Sequence, residues 1–364
     1  MNPSVSLQRS EYMHWAKTRQ AAPFNLAVSG VPGLSLSQLP GALDDVELNG
    51  ASTYGWPPLQ EALSQHLGVP PDRIVHAAGT SGANHLAMSV CFQPGDEVLV
   101  EHPTYELILS TAAYLGASIR RIARRPEYQF RLDTNAVRAA LTPKTRLIVL
   151  TNLHNPSSVR IPDATLHEVA ELAAAQGAYV LVDEVYLDAA SEPPPATSHK
   201  LHDHIVVTSS LTKVYGLSGL RCGWVIAHPS LTERMWRLND LFGVIPAHPA
   251  ERISLVALRQ LPTLRARSRK LLDTNRDAWN QFLTTRTDLE AAPLEFGTVA
   301  FPKLKQGNVE TLCSHLREHY ETTIVPGRFF EMPDHFRVGI SAPTDRFAEG
   351  LQRLGKALDE LKGN

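Results

Sequence analysis

The sequence predicts an α/β protein in which a large lobe carries a mostly parallel, doubly wound sheet and a smaller α+β lobe packs beside it. Three observations lead there. From about Pro40 to the mid-260s, short apolar runs such as residues 179–182 alternate with longer helix-forming stretches such as residues 164–175, the pattern of strand, crossover helix and strand. From about Arg269 the style changes to a helix-like run, two short strand candidates at 298–301 and 336–340, and a charged amphipathic helix at 345–361. The chain has 364 residues, 43% of them apolar, enough to bury a large core and divide into two lobes. We assign residues 40–268 to the large lobe, and residues 1–39 with 269–364 to the small one. The proline-rich Glu192-Pro193-Pro194-Pro195 reads as a loop.

Taken in order, the elements of the large lobe each end on a chemically useful group. Gly79-Thr80-Ser81-Gly82-Ala83 forms a small-residue loop that opens an apolar helical run, so backbone N–H groups can converge on an anion. Its spacing fits neither the Walker lysine loop nor a Gly-x-Gly-x-x-Gly turn. The stretch 96–105 reads as another strand, whose end delivers Tyr105 with a ring that suits either a flat ligand or the core. A strand at 146–150 runs into Asn155-Pro156, where the proline holds Asn155 extended; a plain Asn-Pro turn is the competing reading. Residues 179–182 are β-rich and bounded by glycine, a buried parallel strand with Asp183 at its carboxyl end. That edge is where open α/β sheets bind ligands, although Asp183 also suits a helix N-cap. Tyr186 follows three residues on.

The most telling stretch is Ser209-Ser210-Leu211-Thr212-Lys213, with Arg221 eight positions later in a glycine-rich turn. It suits an amine beside a bound phosphate. Pyridoxal 5'-phosphate presents an aldehyde, a phosphate, a basic ring nitrogen, a phenolic oxygen and a flat face. Lys213 supplies the amine, while Ser210, Arg221 and the Ser81-Gly82-Ala83 loop offer donors for phosphate. Asp183 matches the ring nitrogen, Asn155 and Tyr186 the phenolic oxygen, and Tyr105 the ring face. The set reads as a pyridoxal phosphate site.

In this order Tyr54, Ser81-Gly82-Ala83, Tyr105, Asn155-Pro156, Asp183-x-x-Tyr186, Ser210-x-x-Lys213, Arg221 and Phe336-Arg337-Val338-Gly339 resemble the class I/II aminotransferases of fold type I along nearly the whole chain. The resemblance implies that Arg337 grips the substrate α-carboxylate, with Gly30 and Asn155 beside it. It implies that Lys213, Asp183 and Tyr186 are catalytic, and that Tyr54 reaches the neighbouring subunit's phosphate, so the active unit is a homodimer. It implies ping-pong transfer of an amino group between an L-amino acid and a 2-oxo acid. The chain departs from the family in carrying Ser157-Ser158 where Thr-Gly is usual. Residues 11–17 and Val325-Pro326-Gly327-Arg328 are similar to a branch that includes capreomycidine synthase, where related machinery eliminates and cyclises. Elimination, cyclisation or C–S cleavage of an amino acid is therefore the alternative expectation. A non-catalytic amino-acid sensor would call for a further helix-turn-helix domain, and about forty residues precede the first lobe.

Composition removes other classes. The formal net charge is −2, with no basic surplus to bind nucleic acid. Cys91, Cys222 and Cys313 are too few and scattered for a disulfide framework, and no run resembles a signal peptide or a membrane span, so a cytoplasmic enzyme is expected. His315 with His319, and His202-Asp203-His204, read as solvated surface, and no metal is expected.

Overall fold

The structure, a computed structural model, describes residues 9–19, 22–51 and 53–361. At its centre lies a seven-stranded sheet in the spatial order Ile74–Ala78, Cys222–Ile226, Ile205–Ser210, Tyr179–Asp183, Thr145–Thr151, Glu97–His102 and Ser118–Ala123. Every neighbouring pair is parallel except the two made by Cys222–Ile226. The side-chain period of two explains why the inner strands are apolar throughout. Leu147, Val149 and Leu181 point into one helical layer with Leu86 and Met88, whereas Ile148, Val180 and Val182 point into the other with Leu166 and Val169. Each fully buried aliphatic side chain contributes about 1.5–3 kcal/mol, so the strands form a stiff platform.

The reversed strand matters for the site. Six strands present their carboxyl ends on one edge, and Cys222–Ile226 presents its amino end there, with Cys222 opposite Ala78 and Gly223 opposite Ser210. Arg221 therefore arrives at the same edge as Asp183, although it precedes its strand.

A second core gathers Leu26 and Val31 with Trp279, Leu312, Leu316, Phe336, Val338, Phe347 and Leu354. Its strands are short: Phe336–Gly339 pairs antiparallel with both Val299–Ala300 and Val325–Pro326. The amphipathic helix expected at 345–361 spans Thr344–Leu361. The helix-like run expected from Arg269 begins earlier, at Leu261, because Pro262 sits in the first turn, where a missing N–H costs nothing. That helix, Leu261–Thr284, packs Leu261 and Leu264 on the sheet's core and Leu272 and Trp279 on the second core.

Candidate active site

A cavity of about 360 Å³ opens where the carboxyl edge of the sheet meets the N-terminal segment. Ser81, Tyr105, Asn155, Asp183, Tyr186, Lys213 and Arg221 all line it. Sequence register brings them together: Thr151 pairs with Asp183, so those two parallel strands end level, and Asp183 pairs with Thr208, from which the third strand runs two residues further, to Ser210.

Asp183 is buried and accepts from Asn84 Nδ2 at 2.8 Å and from the Val185 N–H at 3.1 Å. The second bond is a local turn contact of the kind an N-cap makes, so the carboxylate serves the turn and faces the cavity at once. Burial pushes its pKa up to about 6, against the pull of Asn84, Val185 and Lys213.

Lys213 lies in the loop between Ile205–Ser210 and Cys222–Ile226, and its Nζ donates to Ser29 Oγ at 3.1 Å. Burial holds the ammonium below the usual lysine range. Gly30 packs on this residue: Val31 N–H donates to the Lys213 carbonyl at 2.9 Å, and a Cβ on Gly30 would stand 3.3 Å from Lys213 Cα, Cδ and O.

Beside Arg221 the small-residue stretch is not a loop before the helix but the first turn of the helix Gly79–Cys91. Its leading N–H groups have no intrahelical acceptor, and Thr80 and Ser81 face the cavity. Ala83 is buried in the core, and a Cβ on Gly82 would meet the Ala78 methyl at 3.4 Å, so these two contribute backbone rather than side chain. Gly79 has φ +69°, and a Cβ there would sit 2.2 Å from Arg221 Nη2. The Arg221 guanidinium donates to the carbonyls of Ala78 and Ser218 at 3.0 and 3.2 Å. Ser210 is buried behind the cavity, accepting from Thr80 Oγ1 at 2.8 Å.

Arg337 is 1% exposed. It donates to Asn155 Oδ1 at 3.1 Å, to the Tyr12 hydroxyl at 2.8 Å and to the Ala27 carbonyl at 3.2 Å, and its Nε has no partner among the described residues. An Asn155 that accepts through Oδ1 leaves its NH2 available to the cavity. Tyr105 meets the Tyr12 ring edge-on at 5.5 Å, and Tyr186 is buried next to Ser29. Burial raises the pKa of both phenols, so both stay protonated.

Tyr54 is the predicted residue that does not join the others. It is 41% exposed, stacks on Trp236 at 5.6 Å, and lies outside the cavity of its own chain. Conversely, Asn84, Ser29 and Tyr12 touch Asp183, Lys213 and Arg337, contacts with no local signal in sequence beyond Ser29 preceding Gly30. Among the described residues no group of three His, Cys, Asp or Glu side chains can hold a metal; His315 pairs with Glu360 at 2.7 Å and His202 with Glu171 at 3.5 Å. Among those residues no helix is long and apolar enough to cross a membrane.

A cavity lysine beside a strand-end aspartate, a helix N-terminus and a buried arginine defines a pyridoxal-phosphate enzyme of α/β architecture. Residues 35–354 match the family described as aminotransferase class I and II, and the chain belongs to that family. It is similar to capreomycidine synthase of Streptomyces vinaceus, 29% identical over 320 residues that cover 87% of this chain and 82% of the relative. It superimposes on a PLP-dependent aminotransferase from Streptococcus suis with a TM-score of 0.91 and 26% identity, covering 98% of both chains. The fold also matches the PLP-dependent cyclase OrfR, with a TM-score of 0.87 and 22% identity over 99% of this chain and all of the other.

The family's cofactor is pyridoxal 5'-phosphate, and the donor set fits it. An amine, a carboxylate, a helix N-terminus and a forked cation face one cavity, and at Gly79 a Cβ would push Arg221 aside.

Proposed function

We propose that the protein transfers an amino group between an L-amino acid and a 2-oxo acid in two half-reactions. The observation that carries this reading is the convergence of Lys213, Asp183 and Asn155 on one cavity, with Arg337 bonded to Asn155 directly behind it. Pyridoxal 5'-phosphate, when bound, supplies an aldehyde for the amino group and a ring that accepts the electron pair of the broken Cα–H bond.

The chain's own groups divide the remaining work. Lys213 Nζ, whose burial favours the neutral amine, takes the α-proton and later returns it. Asp183 holds a proton on a ring nitrogen, where a cationic partner offsets the burial that otherwise raises its pKa. The Arg337 guanidinium binds the α-carboxylate, and the Asn155 amide orients it. The first turn of Gly79–Cys91, with Ser81, Arg221 and Ser210 behind, holds the phosphate. Tyr105 covers one ring face, Tyr186 donates to the phenolic oxygen, and Gly30 lets the N-terminal segment approach the amine.

The functional unit we propose is a homodimer in the cytoplasm. Leu241, Phe242, Val244 and Ile245 are 49–75% exposed near Tyr54, an apolar surface suited to a second copy. Tyr54 then reaches the neighbouring phosphate site. Distinct cores over the sheet and around Trp279, both met by the helix Leu261–Thr284, support residues 40–268 and residues 1–39 with 269–364 as the two lobes; of the latter, residues 1–8, 20, 21 and 362–364 lie outside the described residues.

A second reading, elimination or cyclisation of an amino acid, is favoured by the similarity to capreomycidine synthase over 87% of the chain. A single-turnover scan of the loaded protein with a panel of L-amino acids separates the two. One equivalent of 2-oxo acid, with the cofactor left in its amine form, supports amino transfer. Repeated turnover with ammonia or a cyclic product and no such conversion supports the second reading instead.

A further inference from the structure

We propose that the far end of the cavity selects an amino acid whose side chain ends in an anion, and that Arg19 is the residue that reads it. This rests on Arg337 holding the α-carboxylate. The helix Glu11–Thr18 starts at Ser10, whose hydroxyl accepts from the Met13 N–H at 3.0 Å, and ends at Arg19. Tyr12, Trp15, Ala16 and Arg19 follow the i, i+3, i+4, i+7 spacing of one helical face, and all four line the cavity. Tyr12 marks the α-carboxylate end through its bond to Arg337. Arg19 lies about 10 Å further along the axis at roughly 1.5 Å per residue. Its guanidinium carbon is 5.4 Å from the Trp15 ring centre, so the side chain folds back along the cavity face of the helix.

The charges around it point the same way. Arg317 and Arg328 act on Arg19 as like charges, and Glu310, which acts against them, is already bonded to Arg328 at 2.8 Å. Arg317 donates to Thr323 Oγ1 at 3.0 Å, and Thr323 itself lines the cavity. Among the described lining residues Asp183 is the one acidic side chain, and it is engaged by Asn84 and the Val185 N–H near Lys213. A guanidinium or ammonium at the end of a substrate side chain would meet like charge and find no carboxylate among the described lining residues at that end. A carboxylate or phosphate there would gain a forked cation over an aromatic floor.

The test uses acids that carry one carboxylate for Arg337 and differ at the other end: hexanoate, adipate, 5-phosphonopentanoate and 5-guanidinopentanoate. Dissociation constants are read by calorimetry on the cofactor-loaded protein, in wild type, Arg19→Gln and Arg337→Gln. We expect adipate or the phosphonate to bind at least ten-fold more tightly than hexanoate, the guanidino acid to bind most weakly, and the adipate-to-hexanoate ratio to fall toward one in Arg19→Gln. The tighter of adipate and the phosphonate identifies the terminal group as carboxylate or phosphate. Equal binding of adipate and hexanoate, a ratio unchanged in Arg19→Gln, or tightest binding of the guanidino acid would overturn the proposal while leaving Arg337 in place. Hexanoate binding unaffected by Arg337→Gln, or no binding of any acid, would overturn the underlying reading of Arg337.

Discussion

Asn84 donates to Asp183 through a bond whose polarity is fixed from behind. Thr208 Oγ1 donates to Asn84 Oδ1 at 2.5 Å, which turns the Asn84 NH2 toward Asp183 Oδ2 at 2.8 Å. The helix whose first turn opens on the cavity thus also holds the carboxylate in place. Removing the amide with Asn84→Ala leaves a buried acceptor short of a partner, at a cost of about 1–3 kcal/mol. The expected outcome is weaker cofactor binding and slower exchange of the substrate α-proton; equilibrium dialysis and proton exchange followed by NMR check it, and wild-type values for both would remove Asn84 from the site.

The raised pKa of Asp183 makes stability depend on pH. In the protein stripped of cofactor, the native carboxyl keeps its proton up to about pH 6, while the unfolded one releases it near 3.8. The native state then binds more protons across that window, so stability falls as pH rises through it and levels off above. The loss is on the order of 3 kcal/mol for a gap of about two units at about 1.4 kcal/mol each. Urea denaturation of wild type and Asp183→Asn at pH 4 and pH 7 should differ by about that much in their pH dependence. Identical slopes would contradict the burial assigned to Asp183. With cofactor bound, the same variant should slow α-proton exchange sharply.

Gly79 and Arg221 compete for one space. Gly79→Ala sets a methyl 2.2 Å from Arg221 Nη2 at a φ of +69°, a conformation that costs an L-residue about 1–2 kcal/mol. We expect a lower melting temperature and a cofactor dissociation constant raised at least several-fold. Unchanged cofactor affinity would show that Arg221 does not hold the phosphate.

Arg337→Ala removes the guanidinium that joins Asn155, Tyr12 and the Ala27 carbonyl. Amino-acid binding should weaken by about 2–5 kcal/mol, as for truncation of one member of a buried, hydrogen-bonded charge pair. Stopped-flow titration measures it, and an unchanged dissociation constant would exclude Arg337 from the substrate site.

Asp183 was legible in the sequence because it ends a short apolar run bounded by glycine, and Lys213 and Arg221 because they sit in a run of small hydroxyl residues and a glycine-rich turn. The sheet itself was legible from its short apolar runs. Asn84 was not: it sits in an apolar helix and meets Asp183 across 99 residues, a contact created only when the helix packs on the sheet. The buried pair of Arg124 and Glu101 at 2.8 Å was hidden likewise. Glu101 also accepts from the Thr151 N–H and hydroxyl, securing the strand that leads to Asn155. Tyr54 was legible as an aromatic residue in a family-like position, and it lies on Trp236, outside the cavity of its own chain.

Lys213 as the cofactor's covalent anchor is the central claim, and borohydride reduction of the loaded protein followed by peptide mass analysis tests it most directly. The account predicts the cofactor's mass on the peptide that contains Lys213. It also predicts loss of that adduct in Lys213→Ala, with turnover lowered by at least the roughly 100- to 10,000-fold of a positioned base. An adduct on any other lysine, or turnover near wild type in Lys213→Ala, would contradict it.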